Sequence, residues 1–249
     1  MIERRTRLVA AALLIAMPII FNIFFALLQS EFEYPDILRR PPDEVLRRVA
    51  AGGERLIALW YGFALTPALF LPAAVLLRRY LGRDEAGYLA LATPWAIAAS
   101  LVQLLGLLRW PFLVPELARL YLDPATDAAT RAATLAIFLA FHQYLGVAVG
   151  EHLGYLFTAA WTAVIATAML GSPHFRSWWG WIGLVAALGI LAGLLEPAGV
   201  AVAGTINALS YILWSLWLIG SGIALLRFRP EIDALRTSAT VPGATSMPS

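Results

Sequence analysis

Six stretches of about twenty mainly apolar residues, separated by short connections that carry arginine, constrain this chain more than any other feature. A helix of that length crosses a ~30 Å hydrocarbon layer and satisfies its own backbone polar groups where no water can. The spans are predicted at residues 8–28, 56–77, 88–108, about 151–170, 178–195 and about 206–226. The expected fold is all-α, a polytopic transmembrane helix bundle in one domain over residues 1–236. A Ser-, Thr- and Pro-rich tail at 237–249 is predicted to be disordered.

Composition supports this reading and removes several function classes. At 60% hydrophobic and 14% charged residues, the chain lies far from the soluble average of about 25% charged. The net charge of +2 is small and comes from arginines at membrane edges, so nucleic acid is not an expected partner. All 18 basic residues are arginine, which excludes chemistry through a lysine Schiff base. With no cysteine there are no disulfides, thiolate metal sites or thiol nucleophiles. The opening MIERRTR resembles a secretory n-region. The apolar run behind it is too long for a signal peptide and no A-x-A site follows, so it reads as an uncleaved first span.

Residues 131–149 decide between six crossings and seven, because they form a further apolar stretch directly before the fourth span. With six crossings, ten of the 18 arginines (Arg4, Arg5, Arg7, Arg78, Arg79, Arg83, Arg176, Arg227, Arg229 and Arg236) share the cytoplasmic side with both termini. Seven crossings would reverse that bias, so the positive-inside rule favours six. Residues 131–149 then become an extra outer-leaflet interfacial or partly re-entrant helix. In the first outer connection, PPDEVLRRV has the charge order of a short surface helix. In the second, Leu117, Leu120 and Tyr121 are expected on one face, and Asp123 with Pro124 reads as the N-cap and N1 pair of the next helix. Trp178, Trp179 and Trp181 suit an aromatic belt at the inner interface.

From His142 onward, small or polar residues recur at every fourth position: Gly146, Gly150, Gly154, Thr158 and Thr162. On a helix this is a packing ridge against which another backbone can come close. The alternative reading is a break or kink at Gly150 that exposes backbone groups, as in transporters with discontinuous helices. The topology also gathers Arg109, His142, Glu151, His152, Glu196 and Asn207 at one outer mouth of the bundle, with Trp110 and Tyr155 as lining and Gln103 deeper. That cluster reads either as a salt-bridge network tying spans together or as a polar pocket. His142 and His152 would stand about 15 Å apart on a continuous helix, too far to share one ion. No cofactor and no metal is predicted, and haem or metal ligation through His142 or His152 is the weaker alternative.

The runs HQYLGVAVGEHLGYLF (142–157), SWWGWIGLVAALGILAGLLEP (177–197) and LSYILWSLWLIGSGIALLR (209–227) resemble the bacterial multipass membrane family of unknown function catalogued under number 4386, as does RWPFLVPELARLYLDP (109–124). The likeness is carried by residues 105–227, whereas the first hundred residues share only hydropathy with the family. The resemblance implies a bacterial cytoplasmic-membrane protein and transfers no catalytic or binding role.

Three function classes follow. The favoured one is a non-enzymatic bundle that binds membrane lipids, a small molecule, a second copy or a partner membrane protein. The second is a small carrier or proton-coupled permease titrating Glu151, His152 and Glu196. The third is a membrane enzyme or redox subunit that uses the outer His and Glu residues.

Overall fold

The computed structural model describes residues 2–81, 87–172 and 174–227, and the predicted tail at 237–249 lies outside them. The described residues contain no strand, and six helical segments are long and apolar enough to cross a membrane. The helices are α1 (Ile2–Phe32), α2 (Pro42–Arg78), α3 (Ala92–Phe112), α4 (Val114–Leu122), α5 (Ala128–Phe141), α6 (Gly154–Leu170), α7 (Ser177–Ala192) and α8 (Ala203–Arg227). Between α5 and α6 the chain follows a π-helix, His142–Leu153.

Helices α1, α2, α3, α6, α7 and α8 each pack on the next, and α8 closes back onto α1, giving a ring of six. The closing seam is tight: a Cβ on Gly222 would lie 2.9 Å from the Ala11 carbonyl oxygen of α1. Asn22 Nδ2 crosses the same seam to Ser215 Oγ at 3.0 Å. Residues 15 and 22 of α1 thus meet residues 222 and 215 of α8. The two helices are antiparallel, and the first and last described residues lie at one end of the bundle.

Two apolar clusters fill the ring. One surrounds Trp161, whose ring meets Phe70 at 4.8 Å and Trp217 at 6.1 Å in edge-to-face arrangements. The other lies at the opposite end, where Trp60 stacks on Trp110 at 4.4 Å and 9° among Phe32, Ile37, Leu46 and Val114. Large apolar residues such as Ile23, Leu188, Leu209 and Leu216 face outward, a distribution that only a lipid environment tolerates over so many positions. Prolines inside the spans are compensated locally. Pro67 withholds the N–H that Phe63 would accept, and the Thr66 hydroxyl donates to the Phe63 carbonyl instead, at 2.8 Å.

At the Trp110 end α4 packs on α2 and α5, and α5 packs on the π-helix, adding a second storey to the ring. The expected short surface helix begins at Pro42 and runs to a kink at Gly53 (φ 54, ψ −152), beyond which α2 enters the bundle. Two sequence expectations need correction here. Residues 128–170 form one uninterrupted helical run, so no chain break occurs at Gly150 and no hairpin at 150–154 could supply a seventh crossing. At about 1.5 Å per residue, that run is roughly twice as long as the hydrocarbon layer is thick. The N-cap of α5 is Asp127, whose carboxylate accepts from Thr130 N at 2.8 Å, while Asp123 ends α4 and takes Ala125 N in the turn. On α4, Leu117, Leu120 and Tyr121 stand at i, i+3 and i+4 and so share a face as expected, with Leu117 buried and Leu120 exposed.

Candidate functional site

The Trp110 end holds most of the ionisable residues singled out in the sequence. Arg109 sits in the last turn of α3 and is only 7% exposed. Its guanidinium donates to the Gly106 carbonyl and lies 5.1 Å from the centre of the Trp110 ring, a desolvated cation–π contact. It occupies the notch left by Gly146, where any side chain would overlap it. No carboxylate of the described residues comes within ion-pair distance of Arg109, and its Nε has no hydrogen-bond partner. Among charged groups, Glu151 acts on it most strongly.

The glycines between explain the approach. A Cβ on Gly106 would lie 2.6 Å from the Gly150 Cα, so α3 and the π-helix touch backbone to backbone. Gly154 makes room instead for the Gln103 side chain, whose Nε2 donates to Thr158 Oγ1 at 3.0 Å. Residues 103, 106 and 109 of α3 therefore mesh with Gly154, Gly150 and Gly146 in antiparallel order. The small-residue ridge is occupied by the protein's own third span.

Glu151 is half-buried and makes no hydrogen bond within the described residues. Arg109, Glu196 and Arg39 act on it electrostatically, and its own charge acts on Tyr34, Tyr155 and Tyr211. His142 stacks on Phe138 at 5.6 Å, and its Nδ1 is buried without a hydrogen-bond partner. Glu196, on the turn after α7, pairs with Arg39 at 2.9 Å and not with Arg109. Asn207 is buried on α8 and donates to the Ile190 carbonyl at 2.8 Å, which ties α8 to α7. His152 makes no hydrogen bond, ion pair or ring contact with the others. Trp110 is 1% exposed and belongs to the packed core, so it lines no open pocket. No three His, Asp or Glu side chains of the described residues come together as a metal site.

Sequence reasoning missed the connection between α1 and α2, which covers this cluster. Tyr34 packs edge-on against Trp60 at 5.2 Å and against Phe25 at 5.3 Å, and Ile37 is fully buried. Burial first, then the Glu151 charge, push the Tyr34 hydroxyl well above the ordinary phenol range. The connection is fastened on one side by Glu33, which takes Arg48 and, at 2.9 Å, Arg40, and on the other by Arg39 to Glu196. The hydrogen bond from Arg48 holds the Glu33 carboxyl below the usual carboxylate range. The motif EFEYPDILRRPP, with acids and aromatics ahead of its first proline and two arginines ahead of the next, carried the signal.

Two concavities accompany the cluster. The larger, about 510 Å³, is an open groove between the Gly53 kink of α2 and α4. Val49, Ile57, Pro115 and Leu122 give it apolar walls, and Glu54, Arg119 and Asp123 stand among them. The smaller, about 20 Å³, lies inside the ring beside Gln103, Thr66 and Tyr211 and matches the space of a single water.

The family model for DUF4386, a domain of unknown function, matches residues 9–222. The chain belongs to that family. The DUF4386 match takes in α1 and α2, where sequence inspection found likeness in hydropathy alone. No curated protein and no solved structure matches the chain.

Proposed function

We propose that this DUF4386 protein is a non-enzymatic, lipid-binding multipass protein of a bacterial cytoplasmic membrane, with both termini on the cytoplasmic side. The observation that carries the reading is the groove between the Gly53 kink and α4. It is concave, its volume falls in the range of ligand clefts, and charged side chains stand at its apolar walls. It also lies near the end of α1 and the passage from α3 to α4, the level we take as the one where acyl chains meet head groups. The glycine ridge is a poorer docking face, since α3 already fills it. The orientation rests on the arginine bias between the two sides.

The test is native mass spectrometry of the protein purified in mild detergent. One lipid should be retained per chain, and Ala50→Trp, which fills the groove from an exposed position, should lose it without loss of helical signal. Retention unchanged in that variant would refute the groove as the site.

A second reading, a proton-coupled carrier, draws on the half-buried Glu151 with no hydrogen-bond partner among the described residues. Proteoliposomes with no solute flux and no response to a pH gradient would eliminate it.

A further inference from the structure

Any apolar face at membrane depth is covered by lipid, so what could make this groove selective is the charge beside it. Three ionisable side chains line it, the carboxylates of Glu54 and Asp123 and the guanidinium of Arg119. Arg119 is already neutralised by Glu116 at 3.0 Å. Asp123 Oδ1 accepts only a turn N–H, from Ala125 at 2.9 Å. Glu54 is exposed and makes no hydrogen bond or ion pair with any described residue. Arg131 stands beside Asp123 and donates to its main-chain carbonyl at 3.0 Å, so the uncompensated negative charge at the groove is that of Glu54, one residue past the kink that opens it. A Cβ built on Gly53 would meet nothing within 4 Å, so the entrance beside Glu54 is clear.

We infer that the groove selects phospholipids with a primary-ammonium head group, the phosphatidylethanolamine class, over choline and anionic heads. This inference rests on the lipid-binding reading above. An ammonium brings three N–H donors to the two carboxylates, and its charge opposes theirs. A quaternary choline keeps the charge but has no N–H to donate. A glycerol head has no positive charge and leaves its phosphate facing Glu54 and Asp123. The phosphate of the preferred lipid lies within reach of Arg119, which the Glu116 pair orients without burying: both side chains are mostly exposed.

The experiment places the full chain in nanodiscs holding equal amounts of phosphatidylethanolamine, phosphatidylcholine and phosphatidylglycerol of matched acyl chains. Native mass spectrometry then reads which lipids stay bound on release. Retention of the ethanolamine lipid should exceed that of the choline lipid roughly tenfold, the scale of one charge-assisted hydrogen bond. Glu54→Gln should bring the ratio close to one while one lipid is still retained, and Arg119→Gln should lower retention of all phospholipids alike. One lipid retained with no head-group preference, or a preference that survives Glu54→Gln, overturns this inference and leaves the lipid-binding reading standing. No lipid retained from any of the three overturns both.

Discussion

Placing a methyl group at Gly106 tests whether the contact between α3 and the π-helix holds the bundle together. The Cβ of Gly106→Ala would lie 2.6 Å from the Gly150 Cα, 3.1 Å from the Leu145 carbonyl oxygen and 3.3 Å from Gly150 N. Carbon atoms in ordinary contact stand about 3.5–4.0 Å apart, so the backbones must separate by about 1 Å. Every atom in the way is backbone, and no rotamer change relieves the clash. Overpacking of this kind costs about 1–3 kcal/mol. Moving α3 away also stretches the 3.0 Å bond from Gln103 to Thr158, worth about 0.5–1.5 kcal/mol. Alanine returns about 1 kcal/mol of helix propensity, leaving a net loss of about 0.5–3.5 kcal/mol. Gly150→Ala should cost less, since its nearest atom is the Gly106 Cα at 3.0 Å. The assay is reversible unfolding in mixed dodecyl maltoside and SDS micelles, followed by tryptophan fluorescence. Gly171→Ala, with nothing within 4 Å, is the control and should stay within about 0.5 kcal/mol of wild type. If Gly106→Ala behaves like that control, or changes only self-association, the ridge is a face for another chain and the packing argument is wrong.

Trp214→Phe removes the bond from Trp214 Nε1 to Thr162 Oγ1 at 2.8 Å, and the same unfolding assay should show a loss of about 0.5–1.5 kcal/mol. Arg109→Met and Glu151→Gln should be non-additive by about 0.5–3 kcal/mol in a double-mutant cycle, because each is the opposite charge that acts most strongly on the other; strict additivity would deny the coupling. The Glu33 carboxyl is depressed in the folded protein, so its contribution is present above the ordinary carboxylate pKa and fades as pH falls through the folded value. Carboxyl NMR should find Glu33 titrating below the ordinary value of about 4.3 and moving back up in Arg48→Gln; no movement would break the assignment to Arg48. Since the chain has no cysteine, single cysteines at Asp36 and Ser177 can be labelled cleanly. A membrane-impermeant thiol reagent on intact cells should modify the first and spare the second, and the opposite pattern would invert the proposed topology.

Hydropathy alone made the six spans legible, because a lipid-facing helix shows its length directly in the sequence. The four-residue spacing of Gly146, Gly150 and Gly154 likewise marked a close approach. It could not name the partner, since only the three-residue spacing of Gln103, Gly106 and Arg109 on α3 answers it. Glycines at 146 and 150 suggest a break when read one residue at a time. In the fold they sit inside a π-helix, whose wider turns absorb the irregularity without ending the helix. Arg109 looked like a salt-bridge partner because span ends predict depth but not azimuth. Its guanidinium turned toward Gly146 and Trp110, and Glu196 went to Arg39. The covering connection was missed because Tyr34 and Ile37 lie in a short loop with no periodicity to reveal a buried face.

The seam between α1 and α8 joins the first and the last of the described helices, which are made far apart in time. Until α8 leaves the ribosome, the small-residue flank of α1 at Ala10 and Ala11 and the inner flank of α7 lack their neighbour, so the ring cannot close before α8 is made. A chain truncated before Ala203 would be an open crescent with two unprotected edges, each ready to take the corresponding edge of another copy. Because the seam helices are antiparallel, the first and last described residues face the same side, and a linker there with new ends at the turn between α4 and α5 would move the seam without changing a single interhelical contact. Such a permutant would show whether closing the circle last is a necessity of the architecture or only of the order in which this chain is written.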